Sequence, residues 1–265
     1  MIQTDTFLKI EKTHQVCEDY IFSGENPVKY IILSDGCSSS KNTEMGSRIL
    51  CHLAKQYLRY RKDDYRFPYL DYDEMGLWII HNAELSARQM GLEKSCLDAT
   101  LIVAFEYKSK VHVYIYGDGI VVTQNQQGMT SVSEIEFTKN APFYLSYKVD
   151  PERMVSFHEM KQDLIIRTTI TNVNENKYAY DFKCRFKFRL EKFPKILVSS
   201  DGMSSFMKDG ESEQIINIAK DFLDFKSTKG EFLKRRLKRA IKIYEKDGLY
   251  NYDDLSVGSF LYEEN

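Results

Sequence analysis

Residues 28–36 read VKYIILSDG and combine a short apolar run with an acid placed directly after it. The run is rich in β-branched side chains, which is typical of a buried strand. It ends abruptly at Ser34, Asp35 and Gly36. The sequence therefore predicts a buried strand that carries a carboxylate at its C-terminal end.

Other acids stand beside predicted strands in the same way. A single Asp-Gly pair says little, because it is the commonest turn dipeptide. Several carboxylates that converge at one end of a sheet are, however, the oxygen ligands that Mg²⁺ and Mn²⁺ prefer. The acids in question are Glu18, Asp19, Asp35, Asp118 (between Gly117 and Gly119), Asp201 (before Gly202), Asp253 and Asp254.

Hydrophobic spacing predicts helices at 43–62, 73–90, 213–224 and 230–246, with Asn42 or Thr43 as the first N-cap and Gly91 ending the second helix. Strand patterns cover 28–33, 100–107, 111–116, 120–124, 162–171, 180–190, 196–199 and 256–262. Most strands are joined by hairpin-length turns, so the sheets should be antiparallel. With no linker or repeat, we expect one α+β domain over residues 1–265.

Composition excludes several classes of protein. The 265 residues are 43% hydrophobic and carry a net charge of −2, which argues against a disordered chain and against a dedicated nucleic-acid binder. No apolar run reaches the ~18 residues of a membrane span. We see no signal peptide, and the five cysteines form no CxxC pair, so free thiols in the cytoplasm are expected.

Taken in order, the acidic motifs resemble those of the metal-dependent protein phosphatases of type 2C. The resemblance covers about residues 12–262 and is weakest over 125–195, where we expect a divergent stretch that resembles a flap or insert. It implies a sandwich of two antiparallel β-sheets with helix pairs outside, an αββα arrangement. The matching segments are Cys17-Glu18-Asp19, Asp35-Gly36-Cys37-Ser38-Ser39, Asp98-Ala99-Thr100, Gly117-Asp118-Gly119, Ser200-Asp201-Gly202 and Asp253-Asp254-Leu255-Ser256.

The resemblance also implies a role for each matching acid. Asp35 would bridge two metal ions, Mg or Mn. Asp201 and Asp253 would complete one metal site, and Glu18 with the Gly36 carbonyl would support the other. Asp19 would hold the water at the metals, and Asp118 with Asp201 would take a weaker third ion.

The activity implied is that of a serine/threonine phosphatase in cellular signalling, a phosphoric monoester hydrolase acting on phosphorylated proteins. A water activated by the metals would attack phosphorus in line, with no covalent intermediate. Two alternatives stay open. One is a catalytically weak or inactive phosphatase-like module that binds a regulatory partner, and the other is a metal phosphohydrolase acting on a small molecule.

Three positions depart from the family pattern. His14 stands where the family usually has a phosphate-clamping Arg, so it is the candidate phosphate contact among the catalytic residues. Another cation could take the place of the missing Arg instead, namely Lys9, Lys41 or Arg48. Cys37 and the serines after it replace a His or Met and two glycines. Asp254 replaces the usual Asn, where its charge would either tighten metal binding or lie in solvent.

A basic strand is predicted within the divergent stretch. Residues 181–191 read DFKCRFKFRLE and alternate strictly, with apolar side chains on one face. The cationic face could recognise an acidic or phosphorylated protein partner, or it could serve only to prevent edge pairing. Its cations are Lys183, Arg185, Lys187 and Arg189. Neither nucleic acid nor membrane is expected as a partner.

Overall fold

The structure, a computed structural model, describes residues 1–64, 67–170, 173–179 and 182–263. Its strands are β1 (Ile2–Lys9), β2 (Tyr20–Gly24), β3 (Tyr30–Ser34), β4 (Leu101–Tyr107), β5 (Lys110–Tyr116), β6 (Gly119–Gln124), β7 (Thr130–Phe137), β8 (Leu164–Ile170), β9 (Val173–Ala179), β10 (Cys184–Arg189), β11 (Lys195–Ser199), β12 (Phe206–Lys208), β13 (Glu211–Ser212), β14 (Tyr250–Asn251) and β15 (Leu255–Tyr262). Its helices are α1 (Thr43–Arg61), α2 (Tyr72–Gln89), α3 (Pro151–Glu159), α4 (Ile215–Leu223) and α5 (Phe232–Lys246).

Two antiparallel sheets pack face to face. One has the strand order β1-β15-β11-β6-β7-β8-β9 and the other β10-β5-β4-β3-β2, beside a small sheet β13-β12-β14. The register pairs Ile31 with Ala104 in one sheet and Val121 with Val198 in the other. These side chains, with Phe260 from β15, are buried between the sheets, so the apolar strands meet in one core.

Helix pairs cover the outer faces of the sandwich. α1 and α2 bury residues such as Leu50 and Ile79 against the five-stranded sheet. α4 and α5 bury Phe222 and Leu237 against the seven-stranded sheet. The arrangement confirms the predicted α+β fold, with antiparallel sheets inside and helix pairs outside.

Local details differ from the sequence expectation. Asn42 occupies the N-cap of α1 in a left-handed conformation, with φ of 59°, and its side chain makes no capping hydrogen bond. The predicted N-cap position at Asn42 is therefore confirmed without side-chain capping, and the Thr43 hydroxyl donates to Glu18 instead. Residues 171, 180 and 181 of the predicted strands lie outside the described residues. No helix in the described part of the chain has the length and apolar character to cross a bilayer.

Candidate active site

The residues predicted to ligate metal lie at one edge of the sandwich, although they come from distant parts of the chain. They follow β3 and β11, precede β2, β6 and β15, and open into a single cavity of about 200 Å³. We call this the acidic cavity. It is lined by Glu18, Asp35, Gly36, Asp118, Asp201 and Asp253, together with Cys37, Ser38, Thr100, Asn140, Pro142 and Tyr144.

Backbone hydrogen bonds on both sides fix Asp35. Its amide donates to Thr100 Oγ1 at 3.2 Å, and its carbonyl accepts from the Thr100 amide at 2.8 Å. The Ser34 hydroxyl donates to the Thr100 carbonyl at 2.5 Å. Because Thr100 leads directly into β4, the neighbouring strand determines where the Asp35 carboxylate stands.

Glu18 is held by three separate segments. Its Oε1 accepts from the Thr43 hydroxyl at 3.1 Å, and its carbonyl accepts from the Gly36 amide at 3.3 Å. Its amide donates to Asp254 Oδ2 at 2.8 Å. A β-carbon at Gly36 would lie 2.7 Å from the Thr43 β-carbon, so glycine permits this close approach of α1.

The position of Asp201 depends on a close approach between the backbones of Gly202 and Asp254. A β-carbon at Gly202 would lie 1.9 Å from the carbonyl oxygen of Asp254. Only glycine therefore lets the turn after β11 pack on the segment that carries Asp253. This contact explains physically why an Asp-Gly pair stands here, beyond its general preference for turns.

The carboxylates destabilise one another's charged forms. Burial, followed by the charge of Asp201, raises the pKa of Asp118 to about 8 and that of Asp253 to about 6. Burial and the charges of Asp19 and Asp201 raise the pKa of Asp35 well above its usual range. No Lys, Arg or His is among the described residues that line the cavity. The lining of the cavity, as far as the chain is described, thus concentrates negative charge.

Asp19 lies beneath the cavity and is fully buried. Ser200 Oγ donates to its Oδ2 at 2.8 Å, whereas its Oδ1 is buried without a hydrogen-bond partner among the described residues. Burial raises the pKa of Asp19 to about 7. A buried acceptor without a partner is costly, so Asp19 is suited to accept a hydrogen bond from a water.

The donor chemistry of the cavity fits a hard divalent cation, since carboxylate and backbone carbonyl oxygens are its preferred ligands and the cavity lining includes five carboxylate residues and Gly36. Within the described ranges, no group of three or more His, Cys, Asp and Glu side chains is already arranged to hold an ion.

A comparison with known families shows which family the chain belongs to. A sequence profile described as protein phosphatase 2C matches residues 9–242. The chain belongs to the protein phosphatase 2C family. Membership supports protein serine/threonine phosphatase activity and does not favour the non-catalytic binding module. No curated protein matches the chain significantly.

Solved structures share the fold along the full length. A bacterial serine phosphatase is 14% identical, with 100% of this chain and 99% of its own covered and a TM-score of 0.62. Stp1 from Staphylococcus aureus, a serine/threonine phosphatase, is 16% identical, with 100% of this chain and 96% of its own covered and a TM-score of 0.58. The catalytic domain of the phosphatase PstP, solved with two manganese ions, is 15% identical, with 98% of this chain and 97% of its own covered and a TM-score of 0.51. At these identities the likeness shows the fold.

His14, at the position of the family's phosphate-clamping Arg, faces a buried acid. Its Nδ1 lies 3.1 Å from Asp254 Oδ1, and His14 is not among the residues that line the acidic cavity. Although partial burial opposes protonation, the hydrogen bond to Asp254 raises the pKa of His14. Its role as a phosphate contact stays a prediction.

Asp254 does not lie in solvent, so that alternative is wrong. It is 2% exposed and accepts hydrogen bonds from the amides of Glu11, at 2.7 Å, and Glu18, at 2.8 Å. Its own amide donates to Asp253 Oδ1 at 2.8 Å. In this family member the extra carboxylate ties the segment before β2 to the acids before β15.

The alternative phosphate-binding cations have other surroundings. Lys9 Nζ donates to Asn251 Oδ1 at 2.6 Å, and the Arg48 guanidinium lies 5.0 Å from the centre of the Tyr20 ring. Lys41 is exposed. None of the three lines the acidic cavity.

Asp98 belongs to a segment that matches the family pattern, but its structural role was missed by sequence reasoning. Its carboxylate is 2% exposed and accepts from Ser40 Oγ at 2.8 Å, Ser146 Oγ at 2.6 Å and Arg153 at 2.7 Å. It joins the loop after Asp35 to α3 in the divergent stretch. Asn140 and Tyr144, which line the cavity, were missed as well. They come from the same stretch, where the sequence carries no motif that could have marked them.

Proposed function

We propose that this protein phosphatase 2C family member is a Mg²⁺- or Mn²⁺-dependent enzyme that hydrolyses phosphoserine and phosphothreonine in proteins. The observation that carries the proposal is the acidic cavity, where Glu18, Asp35, Gly36, Asp118, Asp201 and Asp253 meet from five segments of the chain. The PstP catalytic domain, which has the same fold, was solved with two manganese ions.

The family pattern suggests how these residues share the ions. Asp35 would contact two ions, with Asp201 and Asp253 at one and Glu18 and the Gly36 carbonyl at the other. Asp118, beside Asp201, would hold a weaker third ion. Bound divalent cations supply a more acidic water and offset the charge of the phosphoryl oxygens.

The chain's own side chains would then orient the reactants. Asp19 Oδ1, which has no partner in the described structure, would accept a hydrogen bond from the attacking water. Thr43 keeps Glu18 facing the cavity. His14 Nδ1 is engaged by Asp254, so its Nε2 is the ring atom that a phosphate would contact.

The proposed activity is tested by phosphate release from a phosphothreonine peptide and from p-nitrophenyl phosphate. We expect turnover of both with manganese and none with excess chelator, because no Lys, Arg or His among the described residues lines the cavity to replace the ions. Turnover that survives chelation would contradict a metal-dependent reaction. Intact manganese binding without turnover would support the inactive binding module instead.

The basic strand β10 is proposed as a contact for a protein partner. It is the edge strand of its sheet, and Arg185, Lys187 and Arg189 are exposed on it. Lys187 donates to Tyr69 Oη at 3.0 Å, and Lys183 pairs with Asp73 at 2.8 Å. Reversing Lys187 and Arg189 to Glu should weaken hydrolysis of a phosphoprotein and spare p-nitrophenyl phosphate. An equal effect on both substrates would contradict the contact.

A further inference from the structure

A second cavity adjoins the acidic cavity and extends over β6 and β7. Its volume is about 400 Å³, and it shares Asp118, Asn140, Pro142 and Asp201 with the first cavity. We call it the flanking cavity. A substrate whose phosphate lies among the metal-ligating acids could place its neighbouring residues here, since the two cavities have these four residues as common walls.

Glu134, on β7, is one of the side chains that line the flanking cavity. The residue is only 9% exposed, and its carboxylate makes no hydrogen bond or salt bridge within the described part of the chain. Its oxygens are not among the fully buried atoms that lack a partner, so they remain accessible from the cavity. Its neighbour in register is Arg167 on β8, which pairs with Glu136 at 3.1 Å instead. Burial raises the pKa of Glu134, and the charge of Arg167 offsets this only in part.

A carboxylate that is accessible from a cavity, belongs to a largely buried side chain and has no cationic partner would gain a charge-assisted hydrogen bond from a bound cation. The other charges of the flanking cavity do not supply that cation. Lys139 lines it, but its ammonium donates to the Met160 carbonyl. Metal ions in the acidic cavity would offset Asp118 and Asp201, whereas Glu134 is not among the residues that line that cavity.

We propose that Glu134 binds the side chain of a Lys or Arg close in sequence to the phosphorylated residue, so that the protein selects phosphosites flanked by a basic residue. This inference rests on the proposed phosphatase function and adds its substrate class. The guanidinium of Arg matches a carboxylate with two parallel hydrogen bonds, so Arg should be preferred over Lys.

The test compares phosphothreonine peptides that differ only in one flanking residue, Arg, Lys, Ala or Glu, placed in turn at each of the three positions on either side. For the wild type we expect the best Arg peptide to exceed its Ala counterpart in kcat/KM by about tenfold, the size of one charge-assisted hydrogen bond. In Glu134→Gln, which keeps the shape of the side chain, the ratio should fall to near one. In Glu134→Lys, the Glu peptide should become the better substrate.

Glu175→Gln is the matched control, because it removes one carboxylate from an exposed position on β9. It should keep the wild-type ratio of Arg to Ala peptide. A ratio near one in the wild type, or a ratio unchanged in Glu134→Gln, would overturn the assignment. Thermal unfolding of each variant shows whether it is folded.

Peptide binding, followed by fluorescence anisotropy, separates failure of this inference from failure of the phosphatase function. Preferential binding of the Arg peptide that Glu134→Gln abolishes would support the role of Glu134 even without phosphate release. Turnover of all peptides without a preference would support the phosphatase and contradict the role of Glu134. If neither binding nor turnover favours the Arg peptide, the proposed role of Glu134 is overturned, whether or not the protein releases phosphate.

Discussion

Asp35→Asn is expected to lower manganese-dependent phosphate release by about 10³-fold or more, since it removes the carboxylate that the proposed ions share. Asn keeps the size of the side chain, and the backbone hydrogen bonds to Thr100 do not involve it. The variant should therefore fold. The loss should be as large on p-nitrophenyl phosphate as on a phosphothreonine peptide, because the defect lies at the reacting group.

Asp209→Asn provides the control for this substitution. Asp209 is exposed in the turn between β12 and β13, away from the acidic cavity. It should retain wild-type turnover. If Asp35→Asn kept more than about a tenth of the wild-type rate, the carboxylate could not be the shared metal ligand that the expected loss assumes.

Asp254→Ala is expected to reduce the free energy of unfolding of the metal-free protein by about 3 kcal/mol. The substitution leaves the amides of Glu11 and Glu18 buried or half-buried without their acceptor, and it removes the partner of His14. Chemical denaturation measures the change. It should show a lower midpoint with an unchanged dependence on denaturant concentration.

Asp254→Asn separates the hydrogen bonds from the charge. Asn is the residue of the family pattern, and its amide oxygen still accepts from one backbone amide, so we expect a loss of about 1 kcal/mol. Asp247→Ala, in the turn after α5, serves as the control for a surface substitution. A loss in Asp254→Ala no greater than in Asp247→Ala would show that the carboxylate does not hold the segment before β2.

The fold was predictable where strands are apolar and buried. β3, β4, β5 and β11 carry runs of such residues, and the sequence indicates each of them. β1 and β9 were missed because they are edge strands with many polar residues, and their partners stabilise them. β1 pairs with β15 along its whole length, from Ile2 with Tyr262 to Lys9 with Leu255.

Other omissions have similar causes. β2 is five residues long, too short for a clear alternation, and it depends on its pairing with β3. β7 places Glu134 on a face that also carries Val132, so a charge interrupts its apolar pattern. α3 buries little besides Phe157 and begins at Pro151, so its apolar stripe is too narrow to mark a helix.

The candidate site, like the fold, was predictable from the sequence only in part. The acids could be found because each stands at a strand end beside a characteristic neighbour, and the structure brings them to one cavity. Their supports could not be found. Asp254 meets Glu11 from 243 residues away and Asp98 meets Arg153 from 55 residues away. Such pairs depend on tertiary packing and leave no local pattern.

Protonation of the acids links metal binding to pH. The folded-state pKa values of Asp253, Asp19 and Asp118, at about 6, 7 and 8, lie above the ordinary value of a carboxyl group. The metal-free fold is therefore favoured at lower pH and loses stability as the pH rises through these values. Cations must displace the retained protons, so they should bind more tightly at pH 8 than at pH 6.

Calorimetric titration of manganese into the metal-free protein at pH 6 and pH 8 tests the proposed metal centre most directly. We expect two ions to bind per chain with release of protons, and the affinity to be about tenfold or more higher at pH 8. Asp35→Asn should lose the binding of at least one ion. No binding at either pH, or binding that Asp35→Asn leaves unchanged, would contradict a metal centre in the acidic cavity.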